Sequence, residues 1–474
     1  MGTHELSRNL RALIAIAVFA AAPLRADEPA SAQPEPVAPP DAGRPAVPDA
    51  PPEVEPKADD GVAAPSPGGP PLDVPAEVPV AAKESNYSFV PIPEIILDPN
   101  EGDTFGLMGV WLFKNDRDEI TYMVAPDVRY NETKGVFPSF RLFGYPTPER
   151  RYLIQVGKST TRDEDYEIEY ADRGLLDKKA FFLAKFLYER DSTERFYGFG
   201  NDSDEDRESN YTGEDLYADA NPGYWVLPHL NVNYRMRIQR YNVQPGQVSA
   251  IADITDPARR TRDGRVIGGH LQEVRGKGIE SSVYWRHRLA VAYDTRDSID
   301  MPSEGTFANA YVDGADRHFG SHTSFVAFGF EWRDFIPFRG ERRNPVLALR
   351  AFVDYLQGGT DTPFWLRNSL GGRRALRGFG GDRFVDFNRS LISAELRTRV
   401  YERRLFGVKG ELELAPFFEV GQVFRHVYDP PLDDPHFVGG LGFRALVRPQ
   451  IVAFVDVGYG EEGNAIFTGI DYPF

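Results

Sequence analysis

The stretch LGGRRALRGFGGDRF, residues 370–384, sets Arg373, Arg374, Arg377 and Arg383 among five glycines. A guanidinium is a planar fork of donors that can grip a carboxylate or a phosphate through two hydrogen bonds. Glycines let the backbone that carries it bend and approach a wall without Cβ clashes. The chemistry on offer is anion recognition by a loop. Yet the chain is acidic, with a formal net charge of -17 from 54 Lys and Arg against 71 Asp and Glu. It has no long basic run, so no nucleic-acid partner is expected, and the arginines are expected to find their anion within the protein.

Other chemistries are poorly supported. There is no cysteine, which removes disulfides, thiolate metal sites and cysteine nucleophiles. Asp202, Asp204 and Asp206 have the spacing of a calcium loop, but Arg207 stands where that loop needs glycine. GFGGDR and GFGND are not followed by the helix that a phosphate cradle requires. His287 falls on an apolar strand face near Trp285 and reads as an interfacial aromatic rather than an outward catalytic base. No catalytic residue, cofactor or metal is expected, and the protein is read as not an enzyme.

The elements that must carry the loop are strands. In LGFRALV, Leu441, Phe443, Ala445 and Val447 share one face, and Gly442 and Arg444 the other. Ile392, Ala394, Leu396 and Val400 likewise oppose Ser393, Glu395, Arg397 and Arg399, and Ile451, Ala453, Val455, Val457 and Tyr459 alternate with residues that include Asp456. Period-two alternation means one greasy face and one polar face. A soluble sandwich would alternate in the same way. Charges of both signs on the polar faces (Arg286, Arg288, Asp294, Arg296; Glu411, Glu413, Glu419) and aromatics near strand ends favour a wet lumen and a lipid-facing exterior. The closing segment AIFTGIDYPF, with Tyr472 and the terminal Phe474, resembles the C-terminal signal of outer-membrane barrels.

The fold class expected is therefore all-β, a transmembrane antiparallel barrel of about 16 strands, with long loops near 243–278 and 357–389. Residues 1–26 read as a signal peptide, with Arg8 and Arg11 ahead of a short apolar run. Residues 27–83, rich in Pro, Ala and acid and without an aromatic, read as a disordered linker. Residues 84–474 form the barrel. It is placed in the outer membrane of a Gram-negative cell with both termini periplasmic.

Five segments together resemble one family. LAVAYDTRDSIDMPSEGTF (289–307), RFYGFGNDS (195–203), the loop core Leu376, Arg377, Gly378 and Phe379, the strand motif Phe417, Glu419 and Gly421, and the aromatic final strand occur in the order found in the bacterial surface antigen family. That family of BamA- and TamA-like barrels serves outer-membrane assembly and translocation. The resemblance implies that the long loop folds into the lumen and that Arg377 meets Glu419, which stands where the family more often has Asp. It further implies a role in inserting or exporting proteins or lipids. Partners would be outer-membrane lipid and lipopolysaccharide, with unfolded outer-membrane proteins or periplasmic assembly factors. The usual periplasmic receptor modules have no counterpart in the sequence. The alternative is a surface antigen or passive channel without assembly activity.

Overall fold

The computed structural model describes residues 87–115, 120–260, 266–299, 301–340, 344–405, 408–447 and 451–470. The expected signal peptide and linker, and Tyr472 and Phe474, lie outside these residues. Among the described residues no helix is long and apolar enough to cross a membrane.

One antiparallel sheet curls into a nearly closed barrel of 18 strands. They are β1 (Tyr87–Asp98), β2 (Gly102–Lys114), β3 (Ile120–Asn131), β4 (Gly135–Thr147), β5 (Arg150–Lys158), β6 (Glu164–Gly174), β7 (Ala180–Phe196), β8 (Ser209–Leu227) and β9 (Leu230–Pro245). After a long loop follow β10 (Ser282–Asp294), β11 (Gly305–Ala315), β12 (Phe325–Pro337) and β13 (Val346–Gly358). A second long loop precedes β14 (Asn388–Leu405), β15 (Val408–Phe424), β16 (His436–Val447), β17 (Ile451–Gly460) and β18 (Gly463–Ile470). Each strand pairs with its neighbour in sequence, from β1 with β2 to β17 with β18.

The count corrects the expected figure of about 16. The two unforeseen strands are β1, YSFVPIPEIILD, and β6, EDYEIEYADRG. Pro91 and Pro93 make the first look like a non-strand, because proline cannot donate to a ladder. The second carries five acids in its 11 residues, which reads as a solvated loop. A polar lumen tolerates them, and Tyr166, Ile168 and Tyr170 supply the outward face.

Outward positions form an apolar band, with Phe105, Leu107, Ile154, Ile168, Ile238, Leu289, Val291, Phe330, Ile392 and Phe418 exposed. Many inward positions are polar, and charges there pair across strands: Arg141 with Asp127 at 2.8 Å, Lys185 with Glu167 at 2.8 Å, Arg350 with Glu331 at 2.8 Å. Such a surface suits a barrel whose outside meets lipid and whose inside meets water. Along β14 the alternation shifts at a bulge between Arg399 and Tyr401.

Connections alternate between two ends. The end where β1 enters and β18 leaves carries short turns such as 148–149 and 228–229. The opposite end carries the long connections 197–208, 246–281, 359–387 and 425–435. These pack on one another: Phe196, Ile254, Val274, Phe364 and Val385 share a buried cluster, and Gly200 N donates to Val385 O at 2.9 Å.

Candidate functional site

The arginine loop leaves the long-loop end, forms a short ladder between Asn368–Leu370 and Phe384–Asp386, and sends its tip down inside the barrel. Arg377, at that tip, is 0% exposed. Its Nε donates to Glu419 Oε1 at 3.0 Å and its backbone N to Glu419 Oε2 at 2.7 Å. Its Nη1 donates to Glu395 at 2.8 Å and to Asp456 at 2.9 Å. The guanidinium carbon lies 3.6 Å over the Phe417 ring, an additional cation–π contact. Burial disfavours the cation, but Glu419, Glu395 and Asp456 more than reverse this and hold the Arg377 pKa above its ordinary value.

Two strand arginines complete the cluster. Arg444 bonds Asp456 and reaches Glu395 at 3.3 Å, and Arg397 Nε donates to Glu395 at 2.9 Å. Three guanidinium groups (Arg377, Arg397, Arg444) thus face three carboxylates (Glu395, Glu419, Asp456) in a patch of zero formal charge. Taking one charge out of such a buried set is costly because its partners stay buried.

Close backbone approach seats the tip. A Cβ on Gly458 would fall 2.0 Å from Arg377 O, and one on Gly378 would fall 2.7 Å from Gly460 N. Leu376 takes a left-handed φ of 51°, unusual for a branched side chain. It is fully buried with Phe379, Phe384, Phe417 and Val438, and that burial offsets the strain. Gly421 shares the inward face of β15 with Glu419, and a Cβ there would fall 2.9 Å from Leu391 Cδ1 and 3.2 Å from Leu370 Cδ1. The loop motif (Leu376, Arg377, Gly378, Phe379) and the strand motif (Phe417, Glu419, Gly421) therefore meet in one place.

Glu395, Arg397, Arg444 and Asp456 belong to the same cluster and were not foreseen as partners. Each is visible in the sequence as a polar-face residue. What is not visible is that β14 to β17 bring them to one height, since that needs the register: Ser393 opposite Glu419, Glu413 opposite Arg444, Gly442 opposite Asp456. Elsewhere, Asp204 caps a short turn by accepting from Asp206 N at 3.0 Å. His287 lies on the outer face, stacked on Tyr234, with Nδ1 2.6 Å from the Tyr234 hydroxyl.

Fold and site together define a transmembrane β-barrel whose lumen is occupied by an arginine-tipped loop anchored to its last strands. The family model of the Omp85 superfamily domain matches residues 151–435, and the chain belongs to that superfamily, whose barrel is characteristic of the bacterial outer membrane. Among solved structures, the chain is similar to BamA from Haemophilus ducreyi lacking POTRA domains 1-3, at 13% identity and a TM-score of 0.48, over 80% of this chain and 75% of that one. It is also similar to CdiB from Escherichia coli, at 10% identity and a TM-score of 0.44, over 82% of this chain and 62% of that one. CdiB from Acinetobacter baumannii follows at 9% identity and a TM-score of 0.40, over 81% and 59%. No curated protein matches.

Proposed function

We propose that the protein is an accessory outer-membrane barrel that inserts or translocates outer-membrane proteins or lipids, and that its substrate engages the seam between β1 and β18. Superfamily membership supports the general role. The observation that carries the reading is the weakness of that seam. Among the described residues no backbone ladder joins β1 to β18, and the hydrogen bond across it runs from Thr468 Oγ1 to Ile95 O at 2.6 Å.

The weakness is written into β1. In a strand the N–H and C=O of one residue point to the same edge, and residues two apart share an edge. Ile95 turns its carbonyl to β18, so Pro93 and Pro91 face β18 too, and neither has an N–H to give. An edge short of two donors zips closed less firmly, which leaves room for an incoming strand or an acyl chain to enter.

The long loops are assigned to the outside and both ends of the barrel to the periplasm, the arrangement usual for such barrels. Unfolded outer-membrane proteins, periplasmic assembly factors, and membrane lipid with lipopolysaccharide are the proposed partners, and the role needs no catalytic residue. Depletion followed by a census of outer-membrane proteins and lipopolysaccharide tests it. Selective loss of some of these components is expected. An unchanged census with altered permeability would favour the passive channel or surface antigen instead, a reading opposed by the filled lumen at Arg377.

A further inference from the structure

On the lumen face of β8 to β11, away from the loop tip, four arginines sit together. Register places Arg286 opposite Arg237 and Arg288 opposite Arg235. Like charges directly opposite one another repel, so they call for compensation. Three have it. Arg237 pairs with Asp219 at 2.6 Å, and Arg286 and Arg288 both pair with Asp313 at 2.9 Å. Each of these also lies over a ring: Arg237 over Tyr217 at 3.8 Å, Arg288 over Tyr311 at 4.0 Å, Arg286 over Phe325 at 5.5 Å.

Arg235 has no such partner: no hydrogen bond or ion pair holds its guanidinium among the described residues. It points inward, because its neighbours Tyr234 and Met236 are exposed on the outer face. Two carboxylates pair directly with three of these four guanidinium groups, and a third, Asp215, the next acid along β8, accepts from Gln239 at 2.9 Å and lies near Arg237 and Arg286, which leaves one guanidinium in excess. This is an excess of positive charge, three of its four forks fixed and aromatic-backed, inside a protein that is acidic overall.

We infer that Arg235, with Arg237 and Arg288, forms an anion site on the lumen wall that takes a phosphate group, free or as a monoester. Bidentate guanidinium forks match phosphate oxygens, and an anion offsets the positive charge that the nearby carboxylates leave. The cleft among Arg235, Arg237, Arg286, Arg288 and Asp313 is only about 10 Å³, so the anion lies over it on the lumen side. The site does not depend on the proposed assembly role, since it needs only a lumen that admits the anion. Inorganic phosphate and the phosphate of a lipid headgroup offer the same chemistry.

The test uses the full chain in an uncharged detergent at about pH 8, where phosphate is mostly dianionic. The unfolding midpoint is compared in sodium phosphate and in sodium chloride at equal ionic strength. A saturable rise in phosphate is expected, because a ligand that binds the folded state stabilises it. In R235Q the half-saturating concentration should increase at least tenfold, whereas R240Q, on the exposed outer face of the same strand, should keep the wild-type response. In chloride R235Q should be no less stable than wild type, since one of four like charges is gone. Calorimetric titration with dihexanoyl phosphatidic acid then separates the sources. Heat at a similar concentration means that a lipid phosphate is admitted, and its absence beside binding of inorganic phosphate means that only soluble phosphate is. No rise in wild type, an undiminished rise in R235Q, or an R235Q chain that cannot fold, which would give Arg235 a structural partner, each overturns the inference.

Discussion

Arg377 and Glu419, 42 positions apart in the chain, are joined twice, from Nε to Oε1 at 3.0 Å and from the backbone N to Oε2 at 2.7 Å. One carboxylate thus fixes both the side chain and the backbone of the loop tip. Glu in place of Asp adds one methylene, and here both of its oxygens are used.

The pair is not isolated, and this decides what substitution does. R377E or E419R alone should lower the level of heat-modifiable barrel, a loss of ~3–5 kcal/mol for a broken buried pair. The double swap should recover little, because a glutamate at 377 would face Glu395 and Asp456. R377M with E419Q instead leaves Arg397 and Arg444 against Glu395 and Asp456, again neutral, and should lie closer to wild type than R377M alone. Semi-native gels at equal expression measure all of these levels. A double swap that restores the wild-type level would mean that Glu395 and Asp456 do not matter to Arg377.

Gly458 gives way to the loop tip. A valine there would drive its Cβ into Arg377 O, at 2.0 Å in the present geometry, whereas a Cβ on Gly439 meets nothing within 4 Å. G458V should therefore expel the tip and expose the buried Arg377 to trypsin, and G439A should not. Mapping cleavage in the folded barrel reads this directly.

The 246–281 and 359–387 loops leave the barrel at the same end. Both unforeseen strands precede both loops, so raising the count from 16 to 18 leaves their sidedness unchanged. Tags at Gly268 and Gly359 should be cleaved by protease added to intact cells. Protection of both would reverse the proposed orientation.

Acid should loosen the long loops in a defined window. Burial alone would raise the Glu273 pKa, but His270 and Arg207 more than offset it and lower it to about 2. Its carboxylate holds Arg207 at 2.6 Å and His270 at 3.0 Å, which ties the 246–281 loop to 197–208. A depressed carboxyl pKa adds stability that is present above the unfolded value, near 4.3, and is lost as pH falls towards 2. Hydrogen exchange of residues 270–277 should quicken over that interval, and E273Q should remove the dependence.

Much of this architecture is legible in one dimension because the barrel has period two and a sharp contrast between lipid and lumen. The expected all-β barrel is the observed one, and its expected count of about 16 strands falls two short of the 18 observed. The failures have physical causes: Pro91 and Pro93 weaken the strand signal of β1 because neither can donate to a ladder, and the acids of β6 are indistinguishable from loop acids until a lumen exists to hydrate them. At the site, motif residues were recognisable from their type and order. The partners Glu395, Arg397, Arg444 and Asp456 were not, because register and barrel curvature, rather than spacing, put them around Arg377.

The most direct measurement of the proposed role locks the seam. The chain has no cysteine of its own, so cysteines placed at Ile95 and Thr468, whose strands touch through the Thr468 hydroxyl, can be joined selectively by oxidation or by a short thiol cross-linker. In a depleted strain supplied only with this variant, the reduced form should restore the outer-membrane components lost on depletion, and the locked form should leave them lost although the barrel is present and folded. Full restoration by a barrel shown to be cross-linked would contradict a role for the β1–β18 seam.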